Sequence, residues 1–169
     1  MSPNFHYEPM NAEKDLTAVG RLLMHAFAGT ADGVQDWLKA AGLEHMRVVR
    51  RQAGGPPVAC LLRIPMGQYF GGRSVPMVGI AAVGTAPETR GQGLARSMMH
   101  EAMREAARDG FPLSVLYPST QALYRQAGYE QAGHRLLARV PLATIDVRER
   151  GGAVEHLPHA HDPALPAAH

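Results

Sequence analysis

The stretch Val83–Gly110, VGTAPETRGQGLARSMMHEAMREAARDG, constrains the fold more than any other part of the chain. Its first residues close an apolar run that starts near Val75 (VPMVGIAAVGT) and reads as a strand. A turn follows at Ala86-Pro87-Glu88-Thr89, and Arg90-Gly91-Gln92-Gly93-Leu94-Ala95 opens the next element. Apolar residues then recur at Leu94, Ala95, Met98, Met99, Ala102, Met103, Ala106 and Ala107. Steps of three and four put them on one face of an amphipathic helix. Gly110 is placed to stop it. Two glycines before a helix leave its first backbone N–H groups unfenced, and those groups have no partner inside the helix. They sit at the positive end of the helix dipole and can receive a phosphate. Arg90 adds a fixed positive charge.

Known phosphate cradles differ in spacing. A nucleotide-triphosphate loop needs Gly-Lys-Ser/Thr, and no lysine follows Gly93. A dinucleotide fingerprint needs a third glycine, but Arg96 stands there and the stretch lies mid-chain. The pattern Arg or Gln, two residues, Gly, one residue, Gly or Ala fits Arg90, Gly93 and Ala95. From the loop alone, a helix start without a ligand stays open.

The 169 residues suffice for one domain with a real core. Hydrophobic residues at 46% against charged residues at 19% are globular rather than disordered. A net charge of +2 does not argue for nucleic acid or an anionic membrane. No apolar run is long enough to span a bilayer, and the N-terminal residues carry no signal pattern. The single Cys60 excludes an internal disulfide and suits a reducing, cytoplasmic setting; its apolar run, Val58–Ile64, reads as a buried strand.

Before the organising stretch, the pattern predicts a short strand at Asn4–Pro9 and a helix from Ala12 to Ala28, capped by Asn11 and ended by Gly29. A second helix is expected at Gly33–Ala41, with Asp32 as cap and Gly42 as stop. Strands follow at His45–Arg51 and Val58–Ile64, with breaks at Gly54-Gly55-Pro56-Pro57 and Gly71-Gly72. After the long helix come a strand at Pro112–Tyr117, a helix capped by Ser119 and ended by Gly128, and a strand at Arg135–Val140. The expected fold is α/β: a mixed central sheet with helices on both faces. Residues 1–147 read as the domain and 148–169 as a tail or the start of a linker, holding His156, His159, His161 and His169. A proline-rich tail gives those histidines no rigid frame, so no metal site is assigned.

A second motif, Leu116-Tyr117-Pro118-Ser119 followed by Leu123-Tyr124-Arg125 and Gly128-Tyr129, stands at the right distance from the Arg90 loop. Together they resemble the GCN5-related N-acetyltransferase superfamily, and within it the first domain of the "enhanced intracellular survival" type acetyltransferases. The resemblance covers about residues 5 to 145. It implies an acetyl-CoA-dependent N-acetyltransferase. Val83, Gly84 and Thr85 would offer backbone groups to the pantetheine arm, and Arg90, Gly91, Gln92, Gly93, Leu94 and Ala95 would hold the pyrophosphate. Ser119 would lie near the thiol end. Tyr124 matches the tyrosine that protonates the departing thiolate, and Trp37 an aromatic lining the amine pocket. Such proteins continue into further domains and form larger oligomers, which points to an N-terminal portion of a longer enzyme or a shortened member.

The implied chemistry is direct attack of a neutral amine on a thioester carbonyl. A backbone N–H near Val83 would stabilise the oxyanion. A tyrosine, protonated at neutral pH, suits the acid role. His25, Glu88 and His134 are possible bases, none singled out by spacing. The acceptor is expected to be a polyamine-like or aminoglycoside-type amine or a protein lysine. The alternative is an acyl-CoA-binding or regulatory module without turnover.

Overall fold

A long two-stranded ribbon forms the spine of the sheet. The structure, a computed structural model, describes residues 5–145. Strands β3 (Pro57–Phe70) and β4 (Arg73–Thr85) pair antiparallel along nearly their whole lengths, turning at Gly71 and Gly72, both at positive φ. β2 (Met46–Arg50) and β1 (His6–Pro9) extend the sheet antiparallel on one side. β5 (Leu113–Leu116) joins β4 in parallel on the other, giving the order β1-β2-β3-β4-β5. The parallel pair requires a crossover, and helix α3 (Leu94–Arg108) supplies it. The expected mixed sheet with helices is what the chain forms.

Period-two alternation sends each strand's side chains to two cores. Cys60 and Leu62 of β3 and Met46 and Val48 of β2 meet helices α1 (Ala12–Phe27) and α2 (Ala31–Ala41) through Val19, Leu22, Leu23 and Leu38. Ala59, Leu61 and Val49 face the other way, onto Leu94, Met98, Met99, Ala102 and Ala106 of α3 and Tyr124 of α4 (Gln121–Arg125). Cys60, Leu61 and Leu62 are all fully buried. Truncating either leucine to alanine costs about 2–5 kcal/mol.

Charges tie each helix layer to the sheet. Glu105 of α3 accepts from the Tyr7 hydroxyl at 2.6 Å and pairs with Arg47 at 2.8 Å and Arg63 at 2.6 Å. One carboxylate thus pins α3 across β1, β2 and β3. On the opposite face Arg50 pairs with Asp15 at 2.6 Å and with Glu8. Burial pushes the Glu105 carboxyl up, but the Arg47 and Tyr7 bonds and the arginine charges outweigh it, and the net shift is downward. Burial, then the neighbouring Glu105, pushes the Tyr7 phenol upward.

Several element ends differ from expectation. Ala28, not Gly29, takes the left-handed cap of α1 (φ 52), its N–H bonding Met24 O. Thr30 caps α2 by accepting from Gly33 N, so the helix starts two residues earlier than the Asp32 cap would have it. The N-cap of α4 is Thr120 rather than Ser119, and it makes no side-chain bond. β3 runs on to Phe70, beyond the apolar run, because its exposed far half pairs with β4.

The chain divides into two units at Glu130/Gln131. In the described part of the second, residues 131–145, no strand forms; the expected strand at Arg135–Val140 is absent. Strand propensity needs a ladder partner to be realised, and Leu136 and Leu137 stay exposed. A short 3-10 turn at Leu142–Thr144 follows. The tail at 148–169, with its histidines, lies outside the described residues.

Candidate active site

The site is built where β4 outruns β5. Their ladder ends at Ile80↔Leu116, whereas β4 continues to Thr85. From Ala81 to Thr85 the β5-facing backbone groups have no strand partner. In the same stretch the β3–β4 register slips, from Leu62↔Ala81 to Cys60↔Gly84. Two steps on β3 match three on β4, which is a β-bulge. Ala82 absorbs it in the left-handed region, φ 50. For an L-residue this costs on the order of 1–2 kcal/mol.

The bulge re-aims side chains. Val78 and Ile80 face α3, and strict alternation would send Ala82 after them. Instead Ala81 and Ala82 both belong to the α1–α2 side, and Val83 packs on the α3 side. Ala82 thereby becomes the floor of a cavity of about 500 Å³. Leu23 and Phe27 of α1, Gly29 and Thr30 of the connection, and Gly33, Val34 and Trp37 of α2 form the walls. Trp37 is 45% exposed, so its ring forms a wall open to solvent.

Downstream of the bulge the chain makes the glycine loop. Ala86 N bonds Val58 O, and Pro87–Thr89 form a 3-10 turn. Thr89 is buried, its hydroxyl donating to Ala86 O at 2.8 Å. Gly91 and Gly93 both adopt positive φ, 76 and 74. Gln92 between them braces the loop: its Nε2 donates to Glu88 O at 3.1 Å, and its Oε1 accepts from Arg51 at 3.0 Å. The first backbone bond of α3 is Ser97 N to Gly93 O, and Gly93 offers no side-chain cap. The N–H groups of Leu94, Ala95 and Arg96 therefore emerge unused. A Cβ on Gly91 would meet nothing within 4 Å, and one on Gly93 only Arg96 Nη2 at 3.9 Å. The space over the loop is open, with Arg90 and Arg96 exposed beside it. It fits an anionic diphosphate.

Tyr124 is 6% exposed, set in the α3-side core with its ring edge-on to Tyr129, centroids 6.3 Å apart. Val83 packs against the same core. Arg63 Nε is the single sealed-off side-chain polar atom without a partner among the described residues. Among the described residues the Tyr124 hydroxyl makes no hydrogen bond, and it is not sealed off. The Tyr129 hydroxyl instead meets Ser114 Oγ at 2.5 Å and donates to Met103 Sδ at 3.2 Å. Burial pushes the Tyr129 phenol upward. Ser119 is exposed between β5 and α4.

Cys60 adjoins the bulge, its Sγ 3.8 Å from Ala82 O, but it is sealed off from solvent. Burial pushes its thiol up to about 12, so it is no nucleophile. His25 and Glu88 are exposed and do not line the cavity; His134 lies in the second unit beside Gln131. Among the described residues no group of three His, Cys, Asp or Glu side chains is gathered for a metal, and no helix is long and apolar enough to cross a membrane. Sequence reasoning missed Ala82, Thr89 and Arg51. Only Thr89 had a signal, as a β-branched polar residue directly before the glycine loop.

Proteins of known structure share this fold. The family described as the acetyltransferase (GNAT) domain matches residues 6–132. A GCN5-related N-acetyltransferase structure from Anabaena variabilis is 43% identical, with a TM-score of 0.72 over 76% of this chain and 32% of that one. One from Kribbella flavida is 31% identical, with a TM-score of 0.64 over 72% of this chain and 31% of that one. The chain thus spans about a third of the length of these two structures. A "predicted acetyltransferase with acetyl-CoA" from Clostridium acetobutylicum shares the fold at 12% identity, with a TM-score of 0.62 over 80% of this chain and 96% of that one. No curated protein matches. With strand, bulge, glycine loop, α3 and Tyr124 all inside the matched region, the chain belongs to the acetyltransferase (GNAT) domain family.

Proposed function

We propose that this domain is an acetyl-CoA-dependent N-acetyltransferase that moves an acetyl group to an amine by direct attack. One observation carries the reading. The bulged, unpaired end of β4 lies between an uncapped glycine-loop helix start and a cavity floored by Ala82. Acetyl-CoA, when bound, supplies an activated thioester carbonyl. The N–H groups of the Arg90–Ala95 loop hold its pyrophosphate, and Val83, Gly84 and Thr85 offer the pantetheine arm the backbone groups that β5 leaves free. A backbone N–H of this stretch polarises the carbonyl. Trp37 and its neighbours hold the amine, so much of the acceleration comes from positioning.

Tyr124 acts as the acid. Among the described residues its hydroxyl is unbonded and not sealed off, whereas the nearby Tyr129 hydroxyl is occupied. Ser119 contributes near the thiol. In the balanced step the amine nitrogen gains a bond to the acetyl carbon and the carbon–sulfur bond breaks. One proton leaves the nitrogen for solvent, one reaches sulfur from Tyr124, and Tyr124 recovers its proton from solvent. The Leu116–Ser119 and Leu123–Tyr129 motifs support an enzyme of the enhanced intracellular survival type, acting in the cytoplasm. Calorimetric titration with acetyl-CoA, beside NAD and ATP, tests the reading. Selective acetyl-CoA binding is expected; no binding by the folded chain overturns it.

A further inference from the structure

The walls of the cavity have a chemistry of their own. Leu23, Phe27, Val34, Trp37 and Ala82 present hydrocarbon or aromatic surface. Thr30 brings the one side-chain hydroxyl, and that oxygen already accepts from Gly33 N at 3.4 Å. Among the residues whose side chains are described, a set that leaves out Ala31 and Asp32, no carboxylate lines the space. The volume, about 500 Å³, is that of a small-molecule pocket.

Such a lining discriminates by desolvation. A polyamine would bury ammonium groups with no carboxylate partner in the described lining, at several kcal/mol each, which a cation–π contact with Trp37 offsets only in part. A polyol would lose water from each hydroxyl and regain few bonds, because the Thr30 hydroxyl and the Trp37 indole N–H are the side-chain partners that the described lining offers. An aromatic or branched-aliphatic body loses little and gains about 25 cal/mol per Å² of apolar area covered. An apolar wall also favours the neutral over the charged form of an amine, which is the form that can attack. The cavity thereby assists deprotonation without a dedicated base.

Resting on the acetyltransferase reading, we infer that the acceptor is a primary amine on a compact aromatic or branched-aliphatic body, held by apolar contact rather than by ion pairing. This sets it apart from the polyamine, aminoglycoside and lysine acceptors that the sequence resemblance suggests.

The test measures CoA release by the full chain with acetyl-CoA and phenethylamine, spermidine, kanamycin or a lysine peptide. Phenethylamine is expected to exceed the others in kcat/KM by on the order of 10-fold or more. Preference for any of the other three overturns the inference. Asp32 is the acidic residue nearest in sequence to Thr30 and Gly33. Asp32→Asn should leave KM for phenethylamine within about twofold, and a tenfold rise would mean that an ion pair, not apolar contact, holds the amine. If no amine turns over, Trp37 still reports, because it is the only tryptophan in the chain. A saturable blue shift of its emission with phenethylamine and none with spermidine would uphold the cavity's specificity while the enzymatic reading fails. No saturable shift would overturn the inference itself.

Discussion

Gly93→Asp should abolish tight cofactor binding while leaving the fold intact. Gly93 holds φ 74, a region where aspartate is better tolerated than most residues, and its Cβ would meet only Arg96 Nη2 at 3.9 Å. The introduced carboxylate would sit at the mouth of α3, competing for the N–H groups of Leu94 to Arg96 and repelling a diphosphate. Two unit charges about 4 Å apart repel by roughly 1 kcal/mol in water and 4 at an effective dielectric of about 20. The loop is exposed, so about 1–2 kcal/mol per charge applies, or about 2–4 for both phosphate charges. That weakens affinity about 30- to 700-fold. Titration calorimetry measures it, with S-acetylpantetheine, which lacks the pyrophosphate, as the control that should bind both proteins equally. The difference should shrink at high salt. Gly93→Ala, adding bulk without charge, should weaken binding less. Undiminished acetyl-CoA binding by a folded Gly93→Asp protein would refute the reasoning and move the cradle elsewhere.

Tyr124→Phe should lower kcat by about 10- to 100-fold, the low side of general-acid effects because a thiolate is already a fair leaving group, with acetyl-CoA affinity nearly unchanged; unaltered steady-state turnover would remove Tyr124 from the acid role. Glu105→Gln should destabilise by about 3 kcal/mol, read by urea denaturation, because Arg47 and Arg63 lose a shared buried partner. Since the folded Glu105 carboxyl titrates below its unfolded value of 4.5, its contribution is present above that pH and is lost as pH falls through the lower folded value. The variant's stability should therefore fall less steeply in acid than that of the parent protein, and parallel acid limbs would contradict this. Ala28→Gly should raise stability by about 0.5–1 kcal/mol, because glycine adopts the left-handed cap of α1 without a Cβ penalty; a lower melting temperature would argue against that backbone.

Local chemistry made much of this protein legible in advance. Asn11 caps α1 through bonds from Glu13 N and Lys14 N, and the three-four stripe of α3 buries Leu94, Met98, Met99, Ala102 and Ala106 as its spacing requires. The Arg90–Ala95 glycines announce an open helix start, and Gly42, Gly110 and Gly128 mark stops at positive φ. These signals lie within a few residues of what they control. Tertiary contact decided the rest. Nothing in the run GIAAVGT tells Ala82 to take φ 50, since alanine has no preference for that region; the bulge exists because β3 and β4 must pair on both sides of it while β4 parts from β5. The same slip turns Ala82 toward Trp37 and Val83 toward the α3 core. Trp37 became a cavity wall only once α1 and α2 were packed on the sheet. Tyr124 and Tyr129 are alike in sequence, and what separates a free hydroxyl from an occupied one is whether Ser114 and Met103 are within reach. Residues near in sequence sufficed to read caps, stripes and the loop, whereas the bulge, the cavity and the free phenol arise from strands and helices distant along the chain.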